Sequence, residues 1–333
     1  MRKRQVVVVT GASAGVGRAT VRAFAAAGAD VGLVARGTDG LEAAAREVEA
    51  AGRRALVLPA DVAEADEIEA AADRVEAELG PIDVWVNNAM VTVMSRVRDM
   101  SAADYARVTE VTYLGAVHGT LAALRHMLPR DRGTIVQVGS ALAYRSIPLQ
   151  SAYCAAKFAL RGFTDSLRTE LLHEHSRVCV TMVQLPALNT PQFEWSKVVG
   201  FDRQPQPVPP IFQPEVAAEA IVFAAGAGRR EVWVGGRAAA IIAANQLAPG
   251  VGDLYLAKTG YDAQLSERPL AADRLDNLYQ PVPGDHGAHG RFDERAEPRS
   301  VELELVKRRG WLAAGAGALG IAGLLAAWRA RRD

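Results

Sequence analysis

Short β-branched runs alternate with alanine-rich stretches over the first 235 residues. The runs at 6–9, 31–34, 55–58, 82–86, 134–138, 178–183 and 231–234 are mostly apolar on both faces. A strand with no polar face belongs in a parallel sheet covered on both sides, and parallel strands need helical crossovers between them. Helices fit at 16–27, 41–51, 64–79, 102–128, 152–173 and 214–225, with Gly80-Pro81 and Gly133 marking where elements must end. The pattern predicts an α/β fold: a Rossmann-type, doubly wound parallel sheet of seven strands within residues 1–236. Beyond Gly235 the texture changes. Residues 237–265 read as one or two helices broken at Pro249-Gly250, and 267–299, rich in Pro, Gly and charge, as an extended surface segment. Together 237–306 form an extension, and 307–333 a basic-flanked apolar tail.

Composition narrows the function. Half of the 333 residues are hydrophobic, and Lys+Arg and Asp+Glu both number 38, so there is no global basic field to draw nucleic acid. Two cysteines, Cys154 and Cys179, are too few for a disulfide framework or a cysteine metal cage and point to a reducing, cytoplasm-facing compartment. Met1-Arg-Lys-Arg-Gln5 precedes only four valines, too short an apolar run for a secretion signal.

The segment Thr10-Gly11-Ala12-Ser13-Ala14-Gly15-Val16-Gly17 joins the first strand to the first helix. Its glycines let the backbone turn tightly and approach a pyrophosphate, while the helix start offers free N–H groups and its positive dipole end. An acidic side chain ending the second strand would hold a ribose 2′-hydroxyl. Ala35-Arg36 stands there instead, leaving room for a 2′-phosphate that Arg36 can pair with, which favours NADP over NAD; the plainer reading is a solvated arginine. Asp61-Val62 falls where an adenine edge would lie, or caps the helix from Glu64.

Tyr153 and Lys157, four apart on a predicted helix, share a face. A phenol with a reference pKa near 10 exchanges protons poorly at neutral pH, and a nearby cation lowers it by roughly 1–3 units. Ser140, 13 residues before Tyr153 and just past the fifth strand, lies at the carboxyl edge of the sheet and can donate to a substrate carbonyl.

These motifs together resemble the short-chain dehydrogenase/reductase family, whose hallmarks are T-G-x-x-x-G-x-G, N-N-A-G, a serine and Y-x-x-x-K; the likeness spans roughly residues 4–235. The resemblance implies that Thr10 to Gly17 binds the cofactor phosphates and that Asn87-Asn88-Ala89 backs the adenosine and the central strand. It makes Ser140 the substrate-positioning residue, Tyr153 the acid/base, and Lys157 the residue that binds the nicotinamide ribose and tunes Tyr153. Pro186 and Thr190 match the segment contacting the nicotinamide amide, and a dimer or tetramer is implied. Three positions depart from the family pattern: Met90 replaces the last glycine of N-N-A-G, Pro186-Ala187 replaces proline-glycine, and Thr112 replaces the asparagine that holds a relay water. Threonine can still bond a water, with a shorter side chain.

Residues 189–213 correspond to the family's substrate lid. Phe193, Trp195, Val198, Val199, Phe201, Ile211 and Phe212 make it bulky and apolar, and four prolines at 205, 207, 209 and 210 stiffen its return. A hydrophobic carbonyl or alcohol substrate follows, and NADP, usually held reduced in cells, points to reduction. Cys154 reads better as a packed helix residue than as a redox thiol, and Asp285-His286 with His289 as loop residues rather than metal ligands. The tail 311–328 carries no charge: seven Ala, four Gly, four Leu, one Ile and two Trp, flanked by Lys307-Arg308-Arg309 and by Arg329, Arg331 and Arg332. As a helix it would reach about 27 Å, with interfacial Trp at both ends and small residues at Ala316 and Gly320, so a membrane anchor competes with a helix docked on protein. Two other readings stand beside the enzyme: a cofactor-loaded scaffold or sensor, and an extended-family epimerase, which the glycine spacing disfavours.

Overall fold

The computed structural model describes residues 5–236, 245 and 247–308. Seven strands, β1 (Val6–Thr10), β2 (Asp30–Ala35), β3 (Ala55–Pro59), β4 (Val84–Asn87), β5 (Thr134–Ser140), β6 (Cys179–Leu185) and β7 (Glu231–Trp233), form one parallel sheet. Their order is β7-β6-β5-β4-β1-β2-β3, so the winding reverses between β1 and β4 and a crevice opens at their carboxyl ends. The seven-stranded, doubly wound sheet is therefore as the hydrophobic pattern predicts.

Both faces are covered, which is why the strands carry no polar face. Val7 and Val9 point into a cluster with Phe24, Leu41 and Ile221. Val6 and Val8 point the other way, into a cluster with Ile68, Val75 and Trp85. Those side chains come from α1 (Gly15–Ala26), α2 (Thr38–Ala50) and α7 (Pro214–Ala227) on one side and mainly α3 (Ala65–Glu78) on the other. Each fully buried valine or leucine contributes up to about 1.5–3 kcal/mol. Trp85 is wholly buried, and its indole N–H donates to Asn87 Oδ1 at 2.8 Å. Asn87 Nδ2 in turn donates to Thr120 and to Gln137 at 3.0 and 3.1 Å, closing a buried polar network under the sheet's carboxyl edge.

Two expectations change, and a third is refined. The helix expected over 102–128 is α4 (Ala102–Thr109) and α5 (Gly115–Met127), joined by a π turn at Glu110–Leu114. The widened turn brings the Thr112 hydroxyl against Val91, where it donates to the carbonyl at 2.9 Å and accepts from the N–H at 3.1 Å. The expected break at Pro249-Gly250 is present: the helical stretch is interrupted at Ala248, after Leu247, and α8 (Pro249–Thr259) opens at the proline, whose preset φ and missing N–H suit the first position. The preceding part of the expected helical stretch lies mostly outside the described residues. Finally, 267–299 is irregular yet docked rather than free on the surface: Leu278, Ala288 and Phe292 are buried, three apolar anchors spaced too widely to register as a pattern. Of the tail, 309–333 lies outside the described residues, and among the described residues no helix is long and apolar enough to cross a membrane.

Candidate active site

The glycine loop is built for close approach. Gly11 has φ +67, and a Cβ there would lie 2.9 Å from the Ala89 backbone; at Gly17 it would lie 1.9 Å from the Gly11 carbonyl oxygen. Thr10 is 2% exposed, and its hydroxyl is engaged within the protein. Its hydroxyl donates to Val86 O at 3.3 Å and accepts from the N–H groups of Asn88 and Ala89 at 2.9 and 3.0 Å. The Asn88 amide donates to Thr10 O at 2.9 Å, so the two motifs lock β1 to β4 at the switch point. From this loop a cleft of about 1090 Å³ runs along the carboxyl edge past Arg36, Asp61, Val62 and Asn88 to Ser140, Tyr153, Lys157, Pro186 and Thr190. Gly11, Ser13, Gly15, Val16 and Ala89 also line it; Thr10 and Gly17 do not. Met90 lines it too and has no left-handed backbone, so the missing glycine costs no strain. The loop, the helix start behind it and the length of the cleft fit a dinucleotide.

At the glycine-loop end, Arg36 is half-buried and donates to main-chain carbonyls, to Tyr279 O at 3.0 Å, Leu278 O at 3.3 Å and Asn277 O. Burial, first of all, holds its guanidinium below the ordinary arginine value; Asp61 opposes this and Arg107 adds to it. Asp61 is ion-paired to Arg107 and accepts from the Ala63 N–H at 3.0 Å. Its carboxylate is thus committed to protein partners, and the alternative of a helix cap is corrected: Glu64 occupies the cap position and α3 starts at Ala65. Two arginines face one aspartate, and among the described residues Arg36 has no ion pair of its own. Sequence reasoning missed Arg107, whose partner lies 46 residues away.

At the other end, Ser140 is the last residue of β5, not one past it, and its hydroxyl accepts from the Leu142 N–H at 3.1 Å. Tyr153 and Lys157 occupy successive turns of α6 (Ser151–His173), and both line the cleft with Ser140. Lys157 is 3% exposed; its ammonium donates to Val138 O at 2.7 Å and sits 5.5 Å from the Tyr153 ring centre. The electrostatics differ from the expectation of a phenol made acidic by its neighbour. Burial pushes the Tyr153 phenol above its ordinary value, and the group pulling it back is Ser140. Burial likewise pushes the Lys157 ammonium down to about 8, since a single carbonyl replaces its hydration shell incompletely.

The far end of the cleft is lined by Leu142, Ile147, Val208, Phe212, Val251, Tyr255 and Leu256, with Gln150, Gln264 and Arg145 as polar points. Gln150 Nε2 donates to Gln264 Oε1 at 2.8 Å, and Gln264 is fully buried. No local signal marks these three in the sequence. The lid is docked more closely than expected: Phe193, Ile211 and Phe212 are buried, and Val198 and Phe201 pack on Met94, Leu149 and Leu265. Cys154 is buried, as the packed reading expects. His289 sits between Glu215 and Asp293 at 3.0 and 2.6 Å, while His286 meets Trp195 edge-on at 4.8 Å.

Comparison with known proteins agrees with this geometry. The family described as short chain dehydrogenase matches residues 5–197. The uncharacterized oxidoreductase YxnA of Bacillus subtilis is 36% identical over 286 residues, covering 85% of this chain and 80% of its own. A fatty acyl-CoA reductase of Acinetobacter baylyi is 31% identical over 224 residues, 67% of this chain and 73% of its own. Among solved structures, a metagenomic short-chain oxidoreductase in complex with NADP superimposes with a TM-score of 0.58 at 30% identity, over 69% of this chain and 96% of that one.

Proposed function

The chain belongs to the short-chain dehydrogenase/reductase family of NAD(P)-dependent oxidoreductases, and we propose that it uses NADPH to reduce the carbonyl of a hydrophobic substrate, with Tyr153 as the proton donor. The observation that carries this reading is that Ser140, Tyr153 and Lys157 share one cleft with the glycine loop. The bound dinucleotide would supply the hydride. Gly11 and Val16 would hold its phosphates, with Gly15, whose N–H is bonded to Gly287 O, giving the loop its close approach; Arg36 would hold the 2′-phosphate, with Lys157 on the nicotinamide ribose and Pro186 and Thr190 beside the amide. Ser140 donates a hydrogen bond to the substrate oxygen and orients it toward Tyr153. Burial keeps the phenol protonated, so Tyr153 carries the proton that the oxygen takes up as hydride reaches the carbon.

NADP over NAD is supported by the Arg36 guanidinium, half-buried at the cleft without an ion pair among the described residues, and by the NADP in the metagenomic relative. A hydrophobic substrate is supported by the aliphatic and aromatic lining beyond Tyr153 and by the name of the acyl-CoA relative. A homo-oligomer, dimer or tetramer, belongs to the same reading. A second reading, a cofactor-loaded scaffold, is favoured by Thr112, whose hydroxyl is occupied by Val91 rather than open to a relay water.

Following NADPH absorbance over a panel of long-chain, aromatic and polycyclic ketones separates the two. The enzyme reading expects turnover of apolar members with NADPH preferred over NADH, and roughly a ten-fold or greater fall in that preference in Arg36→Leu. Absence of turnover across the panel with tight NADPH binding would favour the scaffold. The uncharged stretch at 311–328 with basic flanks is proposed to anchor the protein on a membrane. The expected result is retention in the membrane fraction after a high-salt and an alkaline wash without detergent. Release into the supernatant would sink the anchor.

A further inference from the structure

Between Arg274 and Asp293 the chain crosses the cleft from the lid to the nucleotide rim and back, and it is fastened at each stage. The Arg274 guanidinium donates to the carbonyls of Phe193, Glu194 and Ser196, and the Asn277 N–H donates to Trp195 O at 3.0 Å, tying the segment to the lid. Leu278 is fully buried in the core with Val62 and Val111. Leu278 and its neighbours Asn277 and Tyr279 together present three carbonyls to Arg36, and Pro281 lies over Gly37. Farther on, the Gly284 N–H donates to Asp39 Oδ2 at 2.8 Å, Asp285 pairs with Arg18 at 3.1 Å, and Gly287 O accepts from the Gly15 N–H at 3.0 Å. Pro281, Val282, Pro283 and Gly284 themselves line the cleft.

Neutral carbonyls orient a guanidinium without cancelling its charge, whereas a carboxylate would do both. Arg36 is therefore fixed in place and still a full cation.

We propose that residues 274–293 form a strap completing the cofactor site: anchored by Leu278, it positions Arg36 for the 2′-phosphate, covers the bound dinucleotide and links that end to the substrate lid. Leu278 and Asp39 are positioning residues, acting through Arg36 and Gly284. NADPH leaves only when the strap lifts, so loosening an anchor speeds release and lowers discrimination against NADH. The specificity half of this inference rests on the NADP reading above; the retention half does not.

The test uses full-length wild type, Leu278→Ala, and Asp39→Ala, the last a change at an exposed position that spares the core. Stopped-flow fluorescence gives the dissociation rates of NADPH and NADH, and titration gives their affinities. The expected result is a roughly ten-fold faster NADPH dissociation in Leu278→Ala, a smaller rise in Asp39→Ala, and a several-fold fall in the NADPH:NADH affinity ratio. Unchanged dissociation in both variants would overturn the strap, and equal weakening of the two dinucleotides would overturn the positioning of Arg36. Equal affinity of the wild type for NADH and NADPH would instead refute the NADP reading, leaving the dissociation rates to decide retention.

Discussion

Replacing Tyr153 by phenylalanine lowers kcat/KM for carbonyl reduction by roughly 10²–10⁴, the usual contribution of a positioned acid, and leaves NADPH affinity unchanged. The phenol is the ionisable hydroxyl that lines the cleft beside Ser140, and Ser140 is the group that draws its pKa back down. Phenylalanine keeps the ring against which Lys157 rests, at 5.5 Å from its centre, so the lysine and the loop remain as they are while the transferable proton disappears. Absorbance at the nicotinamide band measures the turnover, and quenching of protein fluorescence the affinity. Because the loss is confined to a step that substrate binding does not share, kcat and kcat/KM should fall together with KM little moved. A variant that retained wild-type turnover would remove Tyr153 from the chemistry.

Much of this site can be read in the chain because its parts are local. Glycines at Gly11, Gly15 and Gly17 and the four-residue offset of Tyr153 and Lys157 are set by a turn and a helix, and both periodicities survive folding unchanged. The sheet was legible for a similar reason: strands buried on both faces, like β1 with five consecutive buried residues, leave no polar alternation to misread. What escaped was built from distant pieces. Arg36 reads as a free cation until residues 277–279 close on it, more than 240 positions along the chain. The segment carrying those carbonyls looked like a surface linker because one buried leucine, Leu278, among prolines and charges makes no period. The sign of the electrostatics at Tyr153 escaped as well, since spacing gives the proximity of a cation but not the burial that outweighs it. Thr112 shows the same limit on a smaller scale, for the π turn that takes its hydroxyl to Val91 is not encoded in any single residue of Glu110–Leu114.

Changing Lys157 to methionine is expected to abolish turnover while making the cofactor-free protein more stable. The ammonium is 3% exposed, and burial lowers it from its ordinary value of 10.5 to about 8. Below about pH 8 both folded and unfolded chains carry the proton, and the folded chain bears the full cost of burying a charge, on the order of 3 kcal/mol for that gap. Between about 8 and 10.5 the unfolded chain holds a proton that the folded chain has released, so this group makes stability rise with pH across that window. Methionine has a similar length and no charge, and it gives up the bond to Val138 O, which offsets part of the gain. A net stabilisation of about 1–3 kcal/mol at pH 7 is expected, read as a higher urea midpoint at unchanged slope. The wild-type advantage lost at neutral pH should be largely recovered by pH 10, so the two denaturation midpoints converge there. A variant less stable than wild type at pH 7 would show that the Val138 bond outweighs the buried charge. Saturating NADPH should narrow the neutral-pH gap from the other side, because ribose hydroxyls give the ammonium the partners it lacks and methionine cannot use them.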